Sequence, residues 1–203
     1  MTGPRVAAVL WDADGVLQQG EEDWRGSDEA LSTLDDDFLA EALAEERSFM
    51  AGGDFPAALA AVAERHRVAV PVETLLAPWR SIEALPDTWD LLAQVRSAGV
   101  PCYLATNQQA YRGAHMQATL GYADRLDGAF YSYELGLAKP DPGYFSAILD
   151  RLRLPGHRVL FVDDRHDNVE GAREAGLHAE VWSADEPLHV LRGHLARHGL
   201  PLT

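Results

Sequence analysis

Asp12 and Asp14 stand two positions apart where an apolar run, Val6 to Trp11, stops. Two carboxylates this close repel each other unless a cation lies between them or one holds a proton. The pair therefore suits a site in which Asp12 is nucleophile and metal ligand and Asp14 gives and takes a proton. A run so short and so apolar reads as a buried strand of a parallel sheet. Open parallel sheets bind ligands beyond the carboxyl ends of their strands, which puts both acids where a site would be. Gly15 supplies backbone freedom for a sharp turn after them. The same letters also suit an ordinary strand end followed by an Asp-Gly turn, and D-x-D-G is too short a pattern to choose alone.

Other strand ends carry matching chemistry. Thr106-Asn107 ends the apolar run Val100 to Ala105, and Lys139-Pro140 follows Ser132 to Ala138. Asp163-Asp164 closes Val159 to Val162, with Asn168 four residues after Asp164. In this order the residues resemble the haloacid dehalogenase-like hydrolase superfamily. Its motifs are an aspartate pair after the first strand, a Thr or Ser after the second, a Lys, and an acidic pair after a later strand. The resemblance covers nearly the whole chain. It implies an α/β fold, a doubly wound parallel sheet in a Rossmann-like core, with a small all-helical cap inserted after the first strand. It also implies a Mg²⁺-dependent phosphatase that hydrolyses a small phosphorylated metabolite, a sugar phosphate or nucleotide-like compound, through an aspartyl-phosphate.

On that resemblance Asp12 is the nucleophile, and Asp14 protonates the leaving oxygen and later activates water. Thr106 and Asn107 bind the phosphoryl group, and Lys139 binds its oxygens and restrains Asp12. Mg²⁺ takes hard oxygen ligands: the Asp12 carboxylate, the Asp14 backbone carbonyl and the Asp164 carboxylate. The spacing to Asn168 favours Asp164 over Asp163, which becomes a close second ligand or an acceptor behind the first. Asn168 orients the ligands. Superfamily members that act as haloacid dehalogenases lack aspartate at the position of Asp14 and use no metal, so Asp14 favours the phosphatase. The form Asp163-Asp164-Arg165, followed by Asn168-Val169, Ala172 and Gly176, is similar to the subfamily with small helical caps. That subfamily includes sugar-phosphate phosphatases and the phosphatase domain of soluble epoxide hydrolases. A phosphomutase, a haloacid dehalogenase and a catalytically quiet binding protein are the alternatives on this scaffold, since fold does not fix function.

These residues need a frame, and the hydrophobic pattern supplies one. Residues 1–16 and 84–203 read as the hydrolase core, and residues 17–83 as the helical cap. No convincing strand is evident between 17 and 83. Ser27 opens a short helix through Leu34, and Asp35-Asp36-Asp37 starts one reaching about Met50, its acids complementing the positive helix end. Asp54 caps a helix from Phe55 to His66, and Pro71 starts another to about Arg80. From Pro86 onward strands and helices alternate, as in a parallel sheet covered on both faces.

The chain has 203 residues, 47% hydrophobic and 24% charged, with a formal net charge of −15. That is room for one domain, or a core with a small insert. The negative charge argues against nucleic acid and anionic membranes. It also repels a phosphorylated substrate, so bound Mg²⁺ and Lys139 must invert the charge locally. The single cysteine, Cys102, lies in an apolar run and suits a buried, inert thiol in a reducing compartment. No stretch approaches the ~20 apolar residues of a membrane span, and a cytoplasmic monomer or homodimer is expected. His194 and His198, four apart, read as a solvated helix face. Trp24, Arg25, Arg47, Trp79 and Arg80 fall in the cap and suit packing and surface ion pairs, or a grip on a second anionic group of the substrate.

Overall fold

The computed structural model describes residues 6–21 and 28–200. Ser27, Trp24 and Arg25 lie outside the described residues. The first strand, β1 (Ala8–Trp11), is buried at every position and pairs on both edges. Next come β2 (Gln18–Gly20), α1 (Glu29–Ser32), α2 (Asp36–Arg47), α3 (Phe55–Arg65), α4 (Val72–Leu75), a 3₁₀ turn (Ala77–Arg80) and β3 (Ile82–Ala84). The remainder alternates: α5 (Pro86–Ser97), β4 (Cys102–Thr106), α6 (Ala110–Thr119), α7 (Tyr122–Arg125), β5 (Gly128–Tyr131), α8 (Ser132–Leu135), α9 (Pro142–Leu152), a 3₁₀ turn (Gly156–Arg158), β6 (Val159–Asp163), α10 (His166–Glu174), β7 (His178–Val181) and α11 (Leu188–Arg197).

Five strands form one parallel sheet in the order β5-β4-β1-β6-β7. Side chains alternate across it. Val9 and Trp11 face a cluster holding Trp89, Leu92, Met116 and Leu191. Ala8 and Leu10 face another, holding Tyr144, Phe145, Ile148 and Val169. Helices thus cover both faces, which is the doubly wound arrangement the apolar runs imply. The order reverses about β1, and there a crevice opens at the carboxyl ends.

The register brings distant residues to one rim. Trp11 pairs with Val162 on one side and with Leu104 on the other. The chain therefore delivers Asp12 beside Asp163, and the Asp12 amide donates to the Val162 carbonyl at 2.9 Å. Thr106 ends β4 on the opposite flank.

Between β2 and β3 the helices close on a hydrophobic cluster of their own, with Leu31, Phe38, Phe55, Leu59, Val62 and Trp79 at its centre. Capping follows the acids. Asp35 accepts from the Phe38 amide at 2.7 Å and Asp54 from the Ala57 amide at 3.1 Å. Asp28 caps α1 by accepting from Ala30.

Two expectations for residues 17–83 are corrected. The region does contain strand: β2 and β3 pair antiparallel, with Gln18 opposite Ala84 and Gly20 opposite Ile82. Each is only three residues long, with Gln18 buried and Ile82 partly buried among otherwise exposed residues, so no hydrophobic alternation betrays it. The helix expected from Pro71 to Arg80 stops at Leu75 and resumes as the 3₁₀ turn containing Pro78, because Pro78 cannot donate into a continuing helix.

Candidate active site

Lys139 is the electrostatic centre of the rim. Its ammonium lies 2.7 Å from Asp12 Oδ1 and 2.6 Å from Asp163 Oδ2, and it donates to the Ala105 carbonyl at 3.0 Å. Its side chain is 1% exposed. Burial works against the charged ammonium, but Asp12 and Asp163 outweigh it and hold the Lys139 pKa above its usual value. Asn107 places this lysine. Its side chain accepts from the Lys139 amide at 2.9 Å and donates to the Lys139 carbonyl at 2.8 Å. That amide is therefore engaged with the lysine loop, and what Asn107 can still offer a phosphoryl group is its backbone N–H. Gly171 of α10 lies against the same loop. A Cβ there would stand 1.9 Å from the Pro140 carbonyl oxygen, so the approach of helix to loop requires glycine.

Asp12, Asp163 and Asp164 bring one carboxylate oxygen each within 4.8 Å of one another. Burial raises the Asp12 pKa well above the ordinary range; Lys139 opposes this and Asp163 reinforces it. Burial and then Asp163 push Asp164 up to about 6. Three hard oxygen donors this close, two of them pushed toward the protonated form by burial and by Asp163, fit a divalent cation. The two neighbours differ in their commitments. Asp163 is 0% exposed and is held by Lys139, by the Asn168 side chain at 2.9 and 3.1 Å, and by the Arg165 amide at 2.8 Å. Asp164 is partly exposed and lies against Gly15, where a Cβ would come 2.8 Å from Oδ2. Gly15 has φ +75°, so both its conformation and its closeness to Asp164 call for glycine.

Asp14 has a separate retinue. Arg112 donates to it twice, at 2.6 and 2.8 Å; Gln18 donates at 2.9 Å and Gln108 at 2.7 Å. Burial works to raise the Asp14 carboxyl, yet Arg112, Gln18 and Gln108 hold it below the usual carboxylate range. The Tyr122 hydroxyl in turn donates to Gln18 Oε1. Arg112, Gln18 and Gln108 escape a reading of motifs. Gln108 and Arg112 are four apart across the start of α6, a spacing that sets two side chains on one face, and this was the available signal.

A cavity of about 380 Å³ joins these groups, and Asp12, Asp14, Thr106, Asn107, Lys139 and Asp164 all line it. Arg47 and Met50 close it from the helical insert. The sequence thus named the residues on this rim, but not how they divide into a lysine-centred cluster and an arginine-held acid.

Other expectations lie away from the rim. Trp79 packs edge-on to Phe55 at 4.9 Å within the insert. Cys102 is buried, and burial pushes its thiol up to about 12, an inert state. The solvated helix face of His194 and His198 is corrected. Glu180 of β7 lies between them, 2.7 Å from His194 and 2.8 Å from His198, and the two imidazoles are only 14% and 15% exposed. The acid sits on a neighbouring strand, where helix spacing gives no sign of it. Among the described residues, no helix is long and apolar enough to cross a membrane.

Comparison with known proteins agrees with this frame. The family model of haloacid dehalogenase-like hydrolases matches residues 6–176. Phosphatase MT3486 of Mycobacterium tuberculosis is 29% identical over 195 residues, covering 86% of each chain. Sesquiterpene phosphatase astK of Aspergillus oryzae is 32% identical over 88 residues, 43% of this chain and 44% of that one. In fold, the chain is similar to the family enzyme BT-2542 of Bacteroides thetaiotaomicron, solved as an Asp12→Ala mutant with magnesium and inorganic phosphate. The TM-score is 0.77 at 22% identity, over 92% of this chain and 98% of that one. The family match runs from β1 through α10 and takes in every rim acid described above, and the chain belongs to the haloacid dehalogenase-like hydrolases.

Proposed function

We propose that this phosphoric monoester hydrolase cleaves a small phosphorylated metabolite through a phosphate ester of Asp12, with Mg²⁺ bound at the acidic cluster. One observation carries the reading: a lysine-neutralised carboxylate and a second, separately held carboxylate line one cavity. The first can attack phosphorus and the second can handle the proton. The phosphatase names of the mycobacterial and fungal relatives support it, as does the magnesium and phosphate of the Bacteroides structure.

Asp12 attacks phosphorus in line, and the bond from phosphorus to the ester oxygen breaks. Lys139 neutralises Asp12 and meets the phosphoryl oxygens, so a buried, otherwise proton-binding carboxyl acts as an anion. Asp14, ionised while Arg112, Gln18 and Gln108 hold it, takes up a proton as substrate binds and delivers it to the departing oxygen. It then takes one from the water that attacks the Asp12 phosphate, as an acid that becomes a base. Thr106 and the backbone N–H of Asn107 orient the phosphoryl group. Asp12 and Asp164, with the Asp14 carbonyl, would hold Mg²⁺, and Asp163 and Asn168 would brace them. When bound there, the ion would supply charge neutralisation for the phosphoryl group.

Residues 17–83 act as a cap over residues 1–16 and 84–203, with β2 and β3 as its two stems. Arg47 reaches from the cap to the cavity mouth and suits a sugar phosphate or nucleotide-like substrate.

The test is hydrolysis of 4-nitrophenyl phosphate with Mg²⁺ and with chelator, in wild type and Asp12→Asn. Metal-dependent turnover that disappears in the variant is the expected result. Turnover that survives Asp12→Asn refutes the covalent route. Beryllium fluoride, which mimics a phosphoryl group on aspartate, should bind wild type and not the variant.

A further inference from the structure

Asp14 has no free oxygen. A carboxylate offers about four lone-pair sites, and here Arg112 takes two, Gln18 one and Gln108 one. The side chain is still 41% exposed toward the cavity, but a departing ester oxygen or an incoming water must compete with these four donors. Acid–base work requires at least one donor to withdraw. Gln18 and Gln108 are buried in the core, at 0% and 1% exposure. Arg112 is different, because it is less deeply buried and reaches from α6 to the far end of the helical insert. Its Nε donates to the Trp79 carbonyl at 3.1 Å.

A second acid waits on the insert side. Glu46 of α2 lines the same cavity of about 410 Å³ as Arg112 and Trp79. Burial pushes its carboxyl up, against the pull of Trp79, Arg112 and Gln109, and its charge in turn acts on Arg112. Three residues before Arg112, the Gln109 amide nitrogen is buried without a hydrogen-bond partner. Glu46 is already close enough to act on Gln109, and a closer approach from the insert would satisfy that amide and the arginine together.

We propose that Arg112 is a positioning residue that parks Asp14 in the arrangement seen here and transfers to Glu46 when the insert closes on substrate, freeing an oxygen of Asp14 to face the ester. The inference rests on the phosphatase reading. It ties occupancy of the cap to readiness of the acid through one side chain.

The experiment compares kcat/KM for 2,4-dinitrophenyl, 4-nitrophenyl and phenyl phosphate, whose phenolates depend increasingly on a proton donor. Glu46→Gln removes the receiving charge and leaves Arg112 on Asp14. Its kcat/KM should fall about tenfold on phenyl phosphate and hardly at all on the dinitrophenyl ester. Adding Arg112→Met should suppress that loss, because no cation is left to park the acid. Equal losses across the three esters, or an Arg112→Met effect that adds to that of Glu46→Gln, would overturn the proposal. If Arg112→Met does not fold, the ester dependence of Glu46→Gln and its recovery in Glu46→Asp decide. A wild type inactive on all three esters and unable to bind beryllium fluoride would refute the phosphatase reading itself, and this inference with it.

Discussion

At the scale of single residues the site is a balance of buried charges held by Lys139. Removing it as Lys139→Met leaves Asp12 and Asp163 buried without a counter-ion. The expected cost is about 3–5 kcal/mol of stability, read as a lower denaturant midpoint, with activity lost as well. Asp164 behaves in the opposite sense. Its folded pKa is raised, so its ionisation weakens the metal-free fold above about pH 6, and this penalty fades as the pH falls toward the unfolded value. Asp164→Asn should therefore melt higher than wild type in chelator at pH 8, with the gap closing near pH 4. The same variant should lose the rise in Tm that Mg²⁺ gives wild type. A gap that widened toward low pH would show that Asp164 is not strained in the fold. Legibility at this scale was uneven. Asp12, Asp163 and Asp164 stood out because they end apolar runs at strand ends, and Lys139, which follows α8 and a loop, through the order of the motifs. Arg112 and Glu180 did not, because their partners lie on other elements and neither breaks a local pattern.

Elements decide how steady that balance is. Helix α10 meets the lysine loop through Gly171, and Gly171→Ala drives a methyl group into the Pro140 carbonyl. The expected loss is about 1–3 kcal/mol, together with a lower kcat, because the same loop carries Lys139; thermal melting and kinetics both read it. The insert has its own cluster, so Leu59→Ala, at a fully buried position, should cost about 2–5 kcal/mol there. Hydrogen exchange should show faster opening of α2 and α3 with little change in β1 and β6. The central strands were plain in the sequence because strands buried on both faces are apolar throughout. The pairing of β2 with β3 was hidden, since three-residue strands are too short to show a period and the partners are more than sixty positions apart.

For the whole molecule, the formal charge of −15 sets the terms of approach. A phosphate dianion meets repulsion until it reaches Lys139 and any bound cation. Screening lengths near 10 Å at 0.1 M salt mean that added salt should raise kcat/KM for a dianionic substrate at low ionic strength, while weakening Mg²⁺ binding. Stopped-flow association across a salt series checks both signs, and a rate that fell with salt would locate a positive approach path. The overall charge and the need for Lys139 to offset it locally were readable from the sequence, but not that Arg112 adds a second buried cation, since that depends on which side chains the fold gathers. The position of β1 has a consequence in the making of the protein. Its two neighbours in the sheet, β4 and β6, are encoded far downstream. During synthesis an apolar segment emerges early with both hydrogen-bonding edges vacant, and its second edge waits until the ribosome has passed residue 163. Until then the acid cluster is incomplete, and neither it nor any cation it could hold can help the chain fold. The nascent protein should depend on chaperones to shield that one strand.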